Sequence, residues 1–165
     1  MTGATVRDAA PGDAAGICAL NLAAVTHTSP MDQARLAVLS GLACYFKVAC
    51  VAGQVAAFVL EMRDGVAYGN DNYQWFASRY QRFLYVDRVV VSPASRGLGS
   101  LLYEDLFRYA RVNDIPLVTC EYNLVSPNEQ SRRFHGKFGF REQGSQWVAN
   151  RTRLVSLQAA TTMAE

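Results

Sequence analysis

The stretch Val89 to Leu102, "VVVSPASRGLGSLL", decides how the chain is organised. Three valines run into Ser92-Pro93, then Arg96-Gly97-Leu98-Gly99, then the start of a helix. A strand that ends in a glycine turn and opens a helix is a good anion site. N–H groups at a helix start lack partners inside the helix, and the helix dipole favours negative charge there. The amides of Gly97, Leu98 and Gly99, with Ser100 and the Arg96 side chain, can wrap a pyrophosphate. Two familiar phosphate loops are excluded. There is no G-x-x-x-x-G-K-[ST], and no third glycine completes G-x-G-x-x-G. Alone, the turn reads more readily as a plain reversal of the chain.

The segments around it predict a mixed α/β domain. "ATVRDA" (4–9) alternates like a strand, and Asp13 is placed to cap a helix over 14–26. Ser29, Pro30 and Asp32 start a second helix. "CYFKVACVAGQVAAFVLEM" (44–62) is a hairpin around Ala52-Gly53-Gln54. Residues 63–81 turn irregular and aromatic. "FLYVDRVVV" (83–91) is a buried central strand. A helix over 97–114 puts Leu101, Leu102, Leu106, Tyr109 and Ala110 on one face. Pro116 opens another strand (116–122). Ser131, Phe134, His135 and Phe138 mark a further helix, which Gly139 ends. "FREQGSQWV" and "TRLVSLQ" are two last strands, and "AATTMAE" is a frayed tail. A strand-helix-strand crossover therefore fills the second half.

Composition fits one domain over 1–165. Half of the 165 residues are hydrophobic and 18% are charged, which rules against disorder. Net charge is +2, so nothing favours nucleic acid as a partner. Arg7, Asp8 and Asp13 interrupt any signal-peptide core, and no run of 18 apolar residues exists, so no membrane association is expected. Cys18, Cys44, Cys50 and Cys120 form no C-x-x-C pair, and only two histidines could help them hold a metal. Buried, reduced thiols in a cytoplasmic protein, with no metal, are expected.

Read together, Val89-x-Val91-x-Pro93, Arg96-Gly97-Leu98-Gly99-x-x-Leu102 and Asn128-x-x-Ser131-x-x-Phe134-His135-x-x-x-Gly139-Phe140 resemble the Gcn5-related N-acetyltransferase (GNAT) superfamily. The likeness spans roughly residues 4 to 158, and "VDRVVVSPASRGLGSLLYEDL" looks like a bacterial subgroup of it. It implies a mostly antiparallel mixed sheet of about seven strands flanked by four helices. It implies acetyl-CoA as co-substrate, with its pyrophosphate at Arg96, Gly97, Leu98, Gly99, Ser100 and Leu101. Backbone groups at Val89, Val90 and Val91 would hold the pantetheine and polarise the thioester. Asn128 would contact the cofactor and cap its helix. Ala94 stands where Gln or Arg is usual, and His135 where many members have a tyrosine.

The resemblance implies direct transfer of acetyl to a primary amine of a small molecule or peptide. His135 is the candidate acid for the departing thiolate, with Tyr122 as an alternative. Asp87 and Glu121 are candidate bases, because a carboxylate inside an apolar sheet is costly unless paired or used. The competing role for each is an ion pair, with Arg88 or Arg153 as partner. Tyr73, Trp75, Phe76 and Tyr85 are candidates to line the acceptor pocket, or else belong to core or interface. His27 lies in the family's acceptor-side loop. Many members pair as homodimers, which the sequence leaves open. The competing functions are a non-catalytic acyl-CoA-binding module and an acetyltransferase of protein N-termini.

Overall fold

A computed structural model describes residues 3–25, 28–95, 97–125 and 127–163. The chain order is β1 (Ala4–Asp8), a 3-10 turn (Pro11–Asp13), α1 (Ala14–Ala23), α2 (Gln33–Leu42), β2 (Tyr45–Val51) and β3 (Gln54–Arg63). Then come α3 (Asp71–Ala77), β4 (Leu84–Val91), α4 (Leu98–Val112), β5 (Leu117–Asn123), α5 (Glu129–Lys137), β6 (Arg141–Val148) and β7 (Arg153–Thr161). The strands form one seven-stranded sheet in the order β1-β2-β3-β4-β5-β7-β6. The pairs β1–β2, β2–β3, β5–β7 and β6–β7 are antiparallel, and β4–β5 is parallel. The sheet is the mixed, mostly antiparallel one expected. The helices number five among the described residues, not four.

Two compact units make up the chain: residues 1–62 with 86–109, and residues 63–85 with 110–165. In the first, Ala52 and Gly53 take φ of 51° and 76° and close the β2–β3 hairpin. Positive φ at two successive turn residues is what a tight hairpin demands. Asp32 caps α2 by accepting a hydrogen bond from Arg35 N at 2.8 Å. Asp13 does not cap α1 in this way. Its carboxylate accepts from Ala10 N at 2.7 Å and pairs with Arg7 at 2.7 Å. The buried stripe of α4 is Leu102, Tyr103, Leu106, Phe107 and Ala110, whereas Leu101 is 37% exposed.

The second unit holds the element that composition concealed. Residues 71–77 form a two-turn helix, started by Asn70, whose side chain accepts from Asn72 N and Tyr73 N at 2.9 and 3.0 Å. The tail is not frayed where described. Strand β7 runs to Thr161, and buried Thr162 donates its N–H to Pro116 O at 3.0 Å. Gly139, at φ 82°, follows α5 as expected. The thiols are only partly enclosed: none of the four is in a disulfide, Cys50 and Cys120 are buried, Cys18 is half-buried and Cys44 is exposed.

Candidate active site

In the first unit, β4 leads into the turn that opened the reading. Ser92 N donates to Ala56 O at 2.8 Å, tying the end of β4 down, and Ser95 N donates to Ser92 O at 2.9 Å. Gly97 sits at φ 92°. An L side chain is strained there, although the space beside its Cα is open. Helix α4 starts one residue later, and the first amides of a helix have no acceptor within it. Among the cofactor candidates, Leu98, Gly99 and Val90 are buried, Ser100, Val89 and Val91 half-buried, and Leu101 exposed. Arg96 and His27 lie outside the described residues.

Asp87 is found in an ion pair. Arg88 Nε donates to its Oδ2 at 2.7 Å, with the two side chains 4% and 3% exposed for Arg88 and Asp87 respectively. The same guanidinium donates from Nη1 to Asn21 Oδ1 and to Ser29 O, each at 3.0 Å, and from Nη2 to Ser29 Oγ at 2.9 Å. Asn21 Nδ2 also donates to Ser29 O at 3.0 Å. A buried arginine is tolerable only when its forked donors are met, and here strand β4, helix α1 and the segment before α2 meet them together.

A second carboxyl group in this unit was not singled out from the sequence. Glu61, on β3, is fully buried, and neither oxygen has a hydrogen-bond partner among the described residues. It lies opposite Tyr45 on β2. Tyr45 donates its hydroxyl to Asp105 Oδ2, and Lys47 Nζ donates to the same oxygen at 2.7 Å. Burial, and then the Asp105 charge, push the Glu61 carboxyl well above the usual range. Burial also raises Asp105, but hydrogen bonds from Lys47, Tyr45 and Arg108 outweigh it and hold that group at about 2. The signal was available: one glutamate inside "QVAAFVLEM" is as anomalous as Asp87 in its own strand.

In the second unit, Glu121 accepts the Tyr85 hydroxyl at 2.7 Å. Asn128 caps α5, accepting from Ser131 N at 3.1 Å. His135, 3% exposed, stands edge-on to Phe134 and Phe140. Its Nδ1 lies 2.8 Å from Ser131 O, which can only accept, so Nδ1 carries the proton. Burial lowers its pKa to about 4 against a smaller upward push from that hydrogen bond. At pH 7 the imidazole is therefore mostly neutral. The resting histidine is poorly equipped as an acid, because its one proton is already engaged. Tyr122 is half-buried, 6.1 Å from His135 between ring centres, and burial raises its pKa, so its phenol keeps its proton.

The proposed acceptor lining proves to be packed. Tyr73, Phe76 and Tyr85 are 1%, 0% and 0% exposed, in mutual ring contacts that include Tyr68 and Phe83. The Tyr73 hydroxyl donates to Arg63 O at 2.6 Å. These rings present no free surface to an acceptor. Trp75 is half-buried, with Arg79 3.7 Å from its ring centre. It packs so close to Gly144 that a Cβ there would come within 2.6 Å. Core packing, the competing role, fits Tyr73, Phe76 and Tyr85.

The parallel central strands β4 and β5 are joined through a glycine turn and helix α4. The profile of the acetyltransferase (GNAT) family matches residues 20–140, and the chain belongs to that family. A 59-residue segment is 41% identical to phosphinothricin N-acetyltransferase from Streptomyces coelicolor, covering 34% of this chain and 33% of that protein. The match thus spans about a third of that relative's length. Ard1 from Thermoplasma volcanium superposes with a TM-score of 0.80 at 18% identity, over 98% of this chain and 99% of the other. YncA from Salmonella typhimurium, crystallised with acetyl-CoA, gives 0.71 at 22% identity, over 98% and 95%. At such identities the superpositions establish the fold. No described helix is long and apolar enough to cross a membrane, and the described residues hold no cluster of three metal-ligating side chains.

Proposed function

We propose that the protein moves an acetyl group from acetyl-CoA directly to the primary amine of a small molecule. The observation that carries the reading is the turn from Ser92 through Gly97 into α4, with positive φ at Gly97, inside a chain of the GNAT family. The pyrophosphate sits on the Gly97 amide and the first amides of α4, at Leu98, Gly99 and Ser100, assisted by Arg96. Val89 to Val91 present main chain to the pantetheine arm and the thioester carbonyl. Asn128 adds a cofactor contact besides capping α5.

The acceptor arrives as an ammonium ion and must lose a proton before it attacks. Glu121 is assigned that proton, directly or through water. It accepts the Tyr85 hydroxyl, whereas Asp87 is paired with the Arg88 guanidinium. The departing thiolate takes its proton from Tyr122, which is protonated at neutral pH, in preference to His135. The phosphinothricin N-acetyltransferase likeness supports a compact, amino-acid-like amine, and phosphinothricin belongs in the test.

The test is calorimetry with acetyl-CoA, followed by thiol release across a panel of primary amines that includes phosphinothricin. Binding should vanish when Gly97→Asp and Gly99→Asp are combined, and intact binding would reject the pyrophosphate turn. Tyr122→Phe should lower kcat by about 10²-fold or more while His135→Phe changes it little. The reverse pattern returns the acid role to His135. Tight acetyl-CoA binding without turnover of any amine would favour the non-catalytic module.

A further inference from the structure

We propose that Arg88 is a positioning residue for the acceptor, fixing the segment before α2 against β4 at the thioester end of the bound cofactor. The inference rests on the acetyl-transfer reading. Its own observation is the knot around the guanidinium. Arg88 holds Ser29 by both the main-chain carbonyl, at 3.0 Å, and the hydroxyl, at 2.9 Å. Asn21 holds the same carbonyl from α1 at 3.0 Å. Ser29 itself is exposed, so this anchoring is applied to a surface segment from inside the fold. Pro30 next stiffens the chain, and Met31 is buried at 7% exposure before Asp32 caps α2.

The place along the strand gives the anchor its meaning. Arg88 stands four residues before Ser92, so about 13 Å of strand separates it from the turn. A cofactor whose pyrophosphate sits on that turn, and whose pantetheine arm follows Val91 and Val89, brings its thioester toward residue 88. Whatever the exposed surface of Ser29 and Pro30 presents is therefore held beside the reacting carbon. The fork matters more than the charge. A lysine can keep the pair with Asp87 but cannot reach Asn21, Ser29 O and Ser29 Oγ together.

The experiment compares wild type, Arg88→Lys and Ser29→Ala on the amine that wild type turns over fastest in the panel. Four quantities are read: the acetyl-CoA Kd, the acceptor KM, kcat with its pH profile, and amide hydrogen exchange over residues 28–33. Arg88→Lys should raise acceptor KM about tenfold, with kcat and the acetyl-CoA Kd within about twofold. Exchange over 28–33 should accelerate. Ser29→Ala, which removes one contact at nearly unchanged stability, should raise KM about two- to threefold. An unchanged KM in Arg88→Lys, with exchange accelerated, overturns the proposal and leaves the acetyl-transfer reading intact. A displaced kcat pH profile at fixed KM also overturns it, because Arg88 would then act through Asp87. Failure of wild type to acetylate any amine overturns the underlying reading, and this proposal with it.

Discussion

Two buried charged sites in the first unit have opposite solutions to the same problem. Arg88 and Asp87 form an enclosed ion pair, and acceptors on three elements take the hydrogen bonds of the guanidinium. Glu61 is equally enclosed and has no hydrogen bond on either oxygen among the described residues. Taking an ion out of water costs several kcal/mol, which good partners offset and which a carboxyl avoids by keeping its proton. Arginine lacks that escape, because it stays protonated. The difference teaches that burial does not set the role of a charged residue here. The supply of partners does.

The largest effect should come from breaking the first site. Arg88→Met leaves Asp87 buried without its cation and should cost about 3–5 kcal/mol in urea unfolding. A loss below about 1 kcal/mol would mean that solvent already reaches the pair.

The second site should respond in the other direction. Glu61→Leu replaces an unpartnered carboxyl with a side chain of similar bulk and should stabilise the protein by about 1–2 kcal/mol at pH 8. Sign and window follow from the raised carboxyl. The unfolded chain titrates near about 4.3. Above that pH the unfolded state releases a proton that the folded state retains, so wild-type stability falls until the folded group ionises. Glu61→Leu should remove this alkaline decline, and its gain should grow from pH 5 to pH 8. A gain identical at both would show that Glu61 does not titrate there.

Much of this architecture was legible because its signals are local. Ala52-Gly53 between two apolar runs, Gly97 after three valines and Gly139 after an amphipathic helix each mark a backbone event within a few residues. What stayed hidden depends on partners far along the chain. Lys47 and Asp105 are 58 residues apart, and Arg88 and Ser29 are 59 apart. No spacing encodes either contact. Helix α3 escaped because seven residues rich in aromatics carry little periodicity, although Asn70 ahead of Asp71 was a usable cap signal. The same aromatic density suggested a pocket, whereas ring-on-ring packing had consumed it. His135 was read from its type and place, but its burial, which moves its proton affinity, exists only in the folded chain.

Asp105 joins the comparison, since it is both the well-supplied carboxylate and the neighbour whose charge adds to the upward push that burial gives Glu61. Asp105→Asn should cost about 1 kcal/mol at pH 7, a modest sum because the group is partly exposed. Its stability share is present above about 3.9 and lost as pH falls through about 2, so the variant should lose part of the acid-side decline. It should also let Glu61 ionise at lower pH. Combined with Glu61→Leu, the two changes should couple by about 0.5–1 kcal/mol. Strict additivity would separate the two carboxyl groups electrostatically.

The smallest effect sharpens the Arg88 site itself. Ser29→Ala deletes the hydroxyl that accepts from Nη2, yet leaves the carbonyl that accepts from Nη1. Ser29 is exposed, so water can replace the lost oxygen, and the cost should stay under about 0.5 kcal/mol. Asn21 gives the contrast. It is 0% exposed, and its side chain joins Arg88 to the Ser29 carbonyl. Asn21→Ala should therefore cost more, about 1–3 kcal/mol, because no water stands ready at a closed position. Equal losses in the two variants, measured by urea unfolding at one pH, would mean that the site is uniformly wet. The contrast with Glu61 would then rest on geometry alone and not on exclusion of solvent.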